Sequence, residues 1–428
     1  MVYRDIEAAS RDDMRRLQDD RLRDTVRRAY ENVPFYRAAL DDAGVAPADI
    51  DGVADIARLP FTTKEDFRDE YPDGLFAVEW DDVVRIHASS GTTGKPKIVS
   101  YTDDDLAVWR EVMARSLYAA GVRDDHIVQN AYGYGLFTGG LGVHDGAEEL
   151  GACVIPIGGG NTARQLDMLA DLGSDVLTCT PSYSLYLAEA AAERGLDVRD
   201  LPLSTVIIGA EPFTDPMRDE IEAALGVDAV DLYGLSEIIG PGVSIECAEV
   251  QDGLHVWEDH FYPEVIDPKT GEPLPPGEEG ELVLTTLTKQ ALPILRYRTG
   301  DLTTLNDDPC GCGRTAVRMA NVTGRTDDLL IVRGVNVYPS QLEAVMLDLD
   351  DVAPHYRIDL TREGSLDRMA ITVEHHEDFE GDVESLRDRI ERRLLDVLDV
   401  KPNELTVVGP GEIERTEVGK VKRVFDHR

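Results

Sequence analysis

The feature that most constrains this chain is a rhythm of short apolar runs and amphipathic stretches between residues 127 and 237. Ile127-Val128, Cys153-Val154-Ile155, residues 176–179, Thr205 to Gly209 and residues 228–232 read as strands. Residues 162–172, 181–194 and 214–225 read as the helices between them. Strands alternating with helices predict a parallel sheet covered by helices, an α/β fold. Ligand loops then belong at the carboxyl ends of the strands. Gly209-Ala210-Glu211-Pro212 and Tyr233-Gly234-Leu235-Ser236-Glu237 occupy such positions.

Upstream, residues 1–45 read as helical with a break at Pro34, residues 58–80 as loops and turns, and 103–120 as a helix. Asp103 to Asp105 can cap that last helix and complement its dipole. Before it, an apolar run from Val83 to Ile86 feeds Ser89-Ser90-Gly91-Thr92-Thr93-Gly94-Lys95-Pro96-Lys97. Glycines let backbone N–H groups turn toward one point, while hydroxyls and lysines add donors and positive charge, which suits a polyphosphate. Pro96 stands where a Walker A loop carries Ser or Thr, so this is not that motif. A polar surface loop of like composition is the plainer alternative.

Downstream, residues 253–325 are strand-like runs separated by turns such as Pro275-Pro276-Gly277, predicting a smaller β-rich subdomain. The last hundred or so residues predict a compact α+β domain. Its elements are strands at 329–332, 355–360 and 369–375, a helix from Ser340 and a long helix at 382–399, ending in a charged tail from Glu412.

With 428 residues, 42% of them apolar, the chain can build two or three globular domains. No apolar run is long enough to span a membrane, and residues 1–28 lack a secretory core, so a cytoplasmic protein is expected. A net charge of −40 argues against nucleic acid and anionic membranes as partners. It also strains the compact state by self-repulsion, which salt screens, as in a protein adapted to high salt. Only 8 of its 43 basic residues are Lys, and four of these sit at Lys95, Lys97, Lys420 and Lys422, where a compact point charge suits phosphate.

Five cysteines in a cytosolic chain argue against a disulfide framework. Cys247 and His255, with Cys310-Gly311-Cys312-Gly313 further along, could instead offer the Cys₃His set of a structural zinc site, or serve as small core residues.

Taken together, the motifs resemble the AMP-forming, adenylate-forming ligases, and within them the phenylacetate–coenzyme A ligase family. The resemblance spans nearly the whole chain: Glu31 to Tyr36, Leu59 to Asp66, Ser89 to Lys97, Tyr132 to Gly142, Tyr233 to Glu237, Tyr297 to Asp301, Gly324 to Asp327 and Gly419-Lys420. It implies a large N-terminal adenylation domain (1–326) and a small mobile C-terminal domain (327–428) that turns about Asp327. It also implies two half-reactions: an acid attacks the α-phosphate of ATP to give an acyl-adenylate and pyrophosphate, and the thiol of coenzyme A then displaces AMP.

Position by position, Ser90, Thr92, Thr93 and Lys95 match the loop for the β- and γ-phosphates, Glu237 the Mg²⁺ ligand and Asp301 the ribose-binding carboxylate. Arg325 matches a nucleotide contact, and Gly209, Ala210, Glu211, Tyr233, Gly234 and Ser236 complete the expected ATP/AMP site. Lys420 matches the catalytic lysine that bridges carboxylate and α-phosphate, with Lys422 as a rival. Tyr132, Phe137, Gly209, Ala210 and Ile239 match the acyl pocket, with Phe137 equally readable as plain core. Asp145 departs from the family pattern, which has Tyr there, so it either tunes the pocket toward a substituted ring or faces solvent. Relatives carrying zinc support the Cys₃His reading, and a homodimer is implied. The acid is expected to be phenylacetate, a step in phenylacetate catabolism. The alternatives are a benzoate-type acid, or adenylation of a deazaflavin cofactor without coenzyme A.

The charge balance predicts that raising KCl from low to molar concentration increases the melting temperature. Thermal denaturation across a KCl series checks this, and a flat or falling trend refutes it.

Overall fold

The computed structural model describes residues 2–89, 95–332, 335–363, 366–417 and 419–428. The predicted alternation is present almost residue for residue: strands Ile127–Asn130, Cys153–Ile155, Val176–Cys179, Thr205–Gly209 and Asp228–Leu235, and helices Thr162–Leu172, Pro181–Glu193 and Asp215–Leu225. These five strands pair in parallel, with Val176–Cys179 between Ile127–Asn130 and Thr205–Gly209. The sheet does not stop there. Gly240–Glu246 adds antiparallel to Asp228–Leu235, followed by Leu254–Val256, Arg318–Met319 and Leu305–Asn306, giving nine strands among the described residues.

The expectation of one β-rich subdomain over 253–325 is therefore corrected in part. Some of its short strands finish the large sheet, whereas Phe261–Ile266, Gly280–Thr286, Tyr297–Thr303 and Gly324–Arg325 form a separate four-stranded antiparallel sheet. Alternating polarity reveals a strand but not the sheet it joins.

Other departures are local. The first hairpin is Arg85–Ser89 with Lys97–Tyr101, two residues later than the run from Val83 suggests. The segment read as loop at 58–80 holds a short helix, Lys64–Asp69. Helix Thr138–Leu150 is hidden in the sequence by its glycines, whose poor propensity argues against it. Close packing explains them: a Cβ at Gly146 would lie 2.3 Å from that of Met113 on the neighbouring helix Asp103–Ala119. Pro34 does break the N-terminal helix, by starting a second one, Pro34–Asp42, after Arg11–Asn32.

Asp105 shows how one carboxylate serves both local and long-range structure. It closes a capping box with Thr102 and also accepts the N–H groups of Gln290 (2.6 Å) and Ala291 (2.9 Å), tying the helix start to a distant loop. Among the described residues no helix is long and apolar enough to cross a membrane.

In the C-terminal part, Val352–Glu363 and Leu366–His375 form an antiparallel hairpin, flanked in parallel by Val424–Asp426 and Glu404–Val408. Helices Pro339–Leu347 and Val383–Leu398 pack with this sheet through Leu342, Met346, Leu386 and Ile390, all buried. The expected free tail thus ends in a strand. Val424 is in register with Ile358, which anchors the chain just beyond Lys420 and Lys422.

Candidate active site

The carboxyl ends of strands Thr205–Gly209 and Asp228–Leu235 open beside the antiparallel sheet and the C-terminal tail. Backbone contact sets the geometry of the first. A Cβ at Gly209 would lie 2.1 Å from the carbonyl oxygen of Leu232, and Ala210 takes a left-handed φ of 69°. Glu211, next in line, is buried.

Two carboxylates form the floor. Asp301 and Arg325 are cross-strand partners on the antiparallel sheet, and their side chains pair. Tyr233 donates its hydroxyl proton to Asp301 at 2.6 Å, and Arg325 also reaches Asp327 (3.0 Å) and the carbonyl of Thr299 (3.1 Å). Burial pushes the Asp301 carboxyl up, and Arg325 only partly offsets it. Asp327, the expected hinge, is also held by Lys64 at 2.9 Å.

Glu237, almost fully buried, pairs with Lys97 and accepts the hydroxyl of Tyr297 at 3.1 Å. Burial alone would raise its carboxyl, but the Lys97 ammonium outweighs this and holds it below the usual range, so it is ionised near neutral pH. Mg²⁺ takes one or two protein carboxylates and completes its shell with water and substrate phosphates, so Glu237 fits that role as a single ligand. Lys97 was legible as a phosphate-type lysine but not as the counter-ion of Glu237.

Lys420 stands among Glu211, Asp301, Glu237 and Arg325, brought there from the far end of the chain. The residue as a whole is exposed, yet the protein around its amine takes water from it and holds it below the ordinary value, against the pull of the three carboxylates. Its rival Lys422 lies over the Phe425 ring at 4.9 Å.

Lys95 is exposed over the Tyr71 ring, while Ser90, Thr92 and Thr93 lie outside the described residues. Ser236 approaches Thr138 (3.2 Å), and the backbone at Gly234 passes close to the carbonyl of Gly240. Of the acyl-pocket candidates, Tyr132 carries a buried hydroxyl with no hydrogen-bond partner among the described residues, and Ile239 is buried with its carbonyl accepting from Tyr101. Phe137 is half exposed, which corrects its reading as core. Asp145 pairs with Arg85 at 2.6 Å, so it neither stands free nor simply faces solvent.

Away from the cleft, Cys247, His255, Cys310 and Cys312 converge with all ligand atoms within 4.8 Å. The Cys247 and Cys310 sulfurs are 3.8 Å apart, and Cys312 lies 3.5 Å from Nε2 of His255. A tetrahedron with Zn–S bonds of about 2.3 Å has edges of about 3.8 Å, so the donor set fits zinc. Cys153 is exposed and Cys179 is buried elsewhere.

With this geometry in place, the comparisons fall into line. The model for AMP-binding enzymes matches residues 17–287, and that for the AMP-binding enzyme C-terminal domain matches 334–428. The chain is 52% identical to the phenylacetate–coenzyme A ligase of Thermus thermophilus across 100% of both chains. The chain belongs to the phenylacetate–coenzyme A ligase family. The ligase of that name from Escherichia coli is 49% identical, with 99% of this chain and 97% of that one covered. Among solved structures, a 2-hydroxyisobutyryl-CoA ligase in the postadenylation state, holding its acyl-AMP, superimposes with a TM-score of 0.92. It is 30% identical, and the match covers 98% of this chain and 91% of that one. The same ligase in its thioesterification state scores 0.74, so the arrangement here is more similar to that of the former.

One buried group was missed by the sequence reading altogether. Lys289 is 3% exposed, its ammonium lies 4.4 Å from the Tyr101 ring centroid, and it has no hydrogen-bond partner among the described residues. Burial pushes its amine down from 10.5 to about 8. Its folded value lies below its unfolded one, so the native state binds fewer protons between those limits and stability rises with pH there. Below pH 8 the full penalty applies, on the order of 3 kcal/mol. Lys289→Met is therefore expected to raise the melting temperature by a few degrees at pH 7, with the gain shrinking toward pH 10; paired melts at the two pH values check this.

Proposed function

We propose that this protein activates phenylacetate, or a closely related aryl carboxylic acid, with ATP and transfers the acyl group to coenzyme A. The observation that carries this reading is the pairing of Asp301 with Arg325 and Tyr233 beside Glu211, which holds the backbone next to Lys420. Asp301 would accept both ribose hydroxyls, with Tyr233 and Arg325 fixing its orientation. Glu237 would hold Mg²⁺, which neutralises phosphate charge when bound. Lys97 then becomes free to face the phosphates beside Ser90, Thr92, Thr93 and Lys95. Lys420 would bridge the acid's carboxylate and the α-phosphate, stabilising charge as the carboxylate oxygen attacks and pyrophosphate leaves. The arriving anions would raise its lowered amine again and so hold the positive charge on it. Tyr132, Phe137, Gly209, Ala210 and Ile239 would frame the aryl group, Phe137 at the rim. The domain boundary lies at 326/327, with Asp327 as the hinge.

Zinc at Cys247, His255, Cys310 and Cys312 would clip the end of strand Gly240–Glu246 to the loop before Arg318–Met319. The expected content is one zinc per chain by elemental analysis, lost in Cys312→Ser together with a fall in melting temperature. A metal-free wild type of equal stability refutes the site.

The activity is tested by pyrophosphate release with a panel of carboxylic acids at high KCl, with and without coenzyme A. Phenylacetate-driven release, with AMP and thioester in equal amounts only when coenzyme A is present, is the expected result. Adenylate formation without thioester from any acid overturns it and points to another acceptor. Lys420→Ala is expected to lower acid-dependent pyrophosphate exchange by at least about 100-fold, while Lys422→Ala stays within a few fold.

A further inference from the structure

The segment that carries Lys420 has little to hold it. Residues 419–422 belong to no strand or helix, Gly419 is left-handed at φ 86°, and ladder pairing resumes only at Val424. Among the described residues, one hydrogen bond fixes these four: the N–H of Val421 donates to Oε1 of Glu211 at 2.6 Å. The other oxygen of that carboxylate is held from the N-terminal side. Oε2 accepts the hydroxyl of Ser182 at 2.7 Å and its N–H at 3.3 Å, in the first turn of helix Pro181–Glu193. A carboxylate is suited to this place because it only accepts, and all three of its partners donate.

Glu211 is thus gripped by the parallel-sheet layer and itself grips the backbone next to Lys420. The strained turn at Ala210 and the close approach at Gly209 leave its backbone little freedom to move with the C-terminal part. No ion pair within 4 Å joins Glu211 to Lys420, so the hold is on the backbone and leaves the ammonium free for substrate.

Resting on the ligase reading above, we propose that Glu211 is a positioning residue for the adenylation half-reaction alone, clamping Val421 so that Lys420 enters the site in register. This differs from a nucleotide-binding role for Glu211, which would serve both half-reactions because the adenylate stays bound through both. The clamp spans the two parts of the chain, so it exists only in the arrangement seen here. It contributes nothing once the C-terminal part has turned away.

Glu211→Met tests this in the full-length enzyme. A glutamine could keep its oxygen on Val421 and turn its N–H₂ to the Ser182 hydroxyl, which also accepts, whereas methionine keeps much of the length and removes both carboxylate oxygens. Two rates are measured: phenylacetate-dependent ATP–pyrophosphate exchange, and thioester formation from synthetic phenylacetyl-adenylate with coenzyme A. Losing a hydrogen bond to a charged group predicts a drop of about 10- to 100-fold in kcat for exchange, with KM for ATP changed less than about twofold. The second rate is expected to stay within about twofold of wild type, which also shows that the variant folds.

Glu189→Gln is the control. Glu189 joins the same two parts through Arg415 (2.9 and 3.0 Å) and His355 (2.7 Å) without touching the Lys420 segment. It is expected to slow exchange by less than about threefold. Equal loss of both rates in Glu211→Met overturns the proposal in favour of a nucleotide contact. Unchanged exchange also overturns it. Lys420→Ala with wild-type exchange removes the ligase reading on which it rests, whatever Glu211→Met does.

Discussion

The structure turns on one electrostatic problem: a chain of net charge −40 gathers several carboxylates at a single cleft and keeps them out of water. Asp301, Glu237 and Glu211 are each less than a tenth exposed, and without counter-charges such a cluster would protonate or spread apart. Each has a distinct answer. Asp301 has Arg325 beside it in register, Glu237 has Lys97 from the first hairpin, and Glu211 has neutral donors from Ser182 and Val421. The same pattern recurs in the body of the molecule, where buried Arg115 and Arg314 meet Asp259 and Glu7. Arginine supplies permanent bidentate pairs for structure, while lysine is kept near the cleft, where a charge that can exchange partners is useful.

Because those answers come from far-apart segments, the site exists only when the sheets and the tail are together. The parallel strands provide the Gly209 and Tyr233 turns, the antiparallel sheet provides Asp301 and Arg325, and the first hairpin provides Lys97. The tail provides Lys420, and strand Val424–Asp426 sets its reach by pairing with Val352–Glu363. A slip of this short parallel pairing would move Lys420 by about 3.3 Å per residue, enough to empty its place among the carboxylates.

What the sequence disclosed divides along the same line. The alternating segment was legible nearly to the residue, because helix and strand periods are local properties and the chain obeys them there. Helix Thr138–Leu150 was not, since its glycines serve contacts with Trp109 and Met113 that no local rule registers. Asp301 and Arg325, identified through the family motifs, do pair in space, whereas the partners Lys97 and Tyr297 of Glu237 and Ser182 of Glu211 required coordinates. Lys289 left no signal either: a lysine between threonine and glutamine reads as surface, and only the fold buries it.

The contacts between the two parts of the chain bear on how such an enzyme could work. One buried apolar cluster holds Met217 and Ile221 of one part with Leu342 and Met346 of the other, and around it the contacts are polar: Val421 on Glu211, Arg415 and His355 on Glu189, Tyr186 on Glu417, His376 on Glu220, and Lys64 on Asp327. Apart from the Glu211 clamp, each polar contact links groups that water can satisfy after separation, so each contributes on the order of 1 kcal/mol or less. An interface of that kind holds one arrangement without trapping it. Two half-reactions that need different surfaces at the same cleft require this balance, since an interface sealed by large apolar side chains would fix Lys420 in place and leave no route for the thiol.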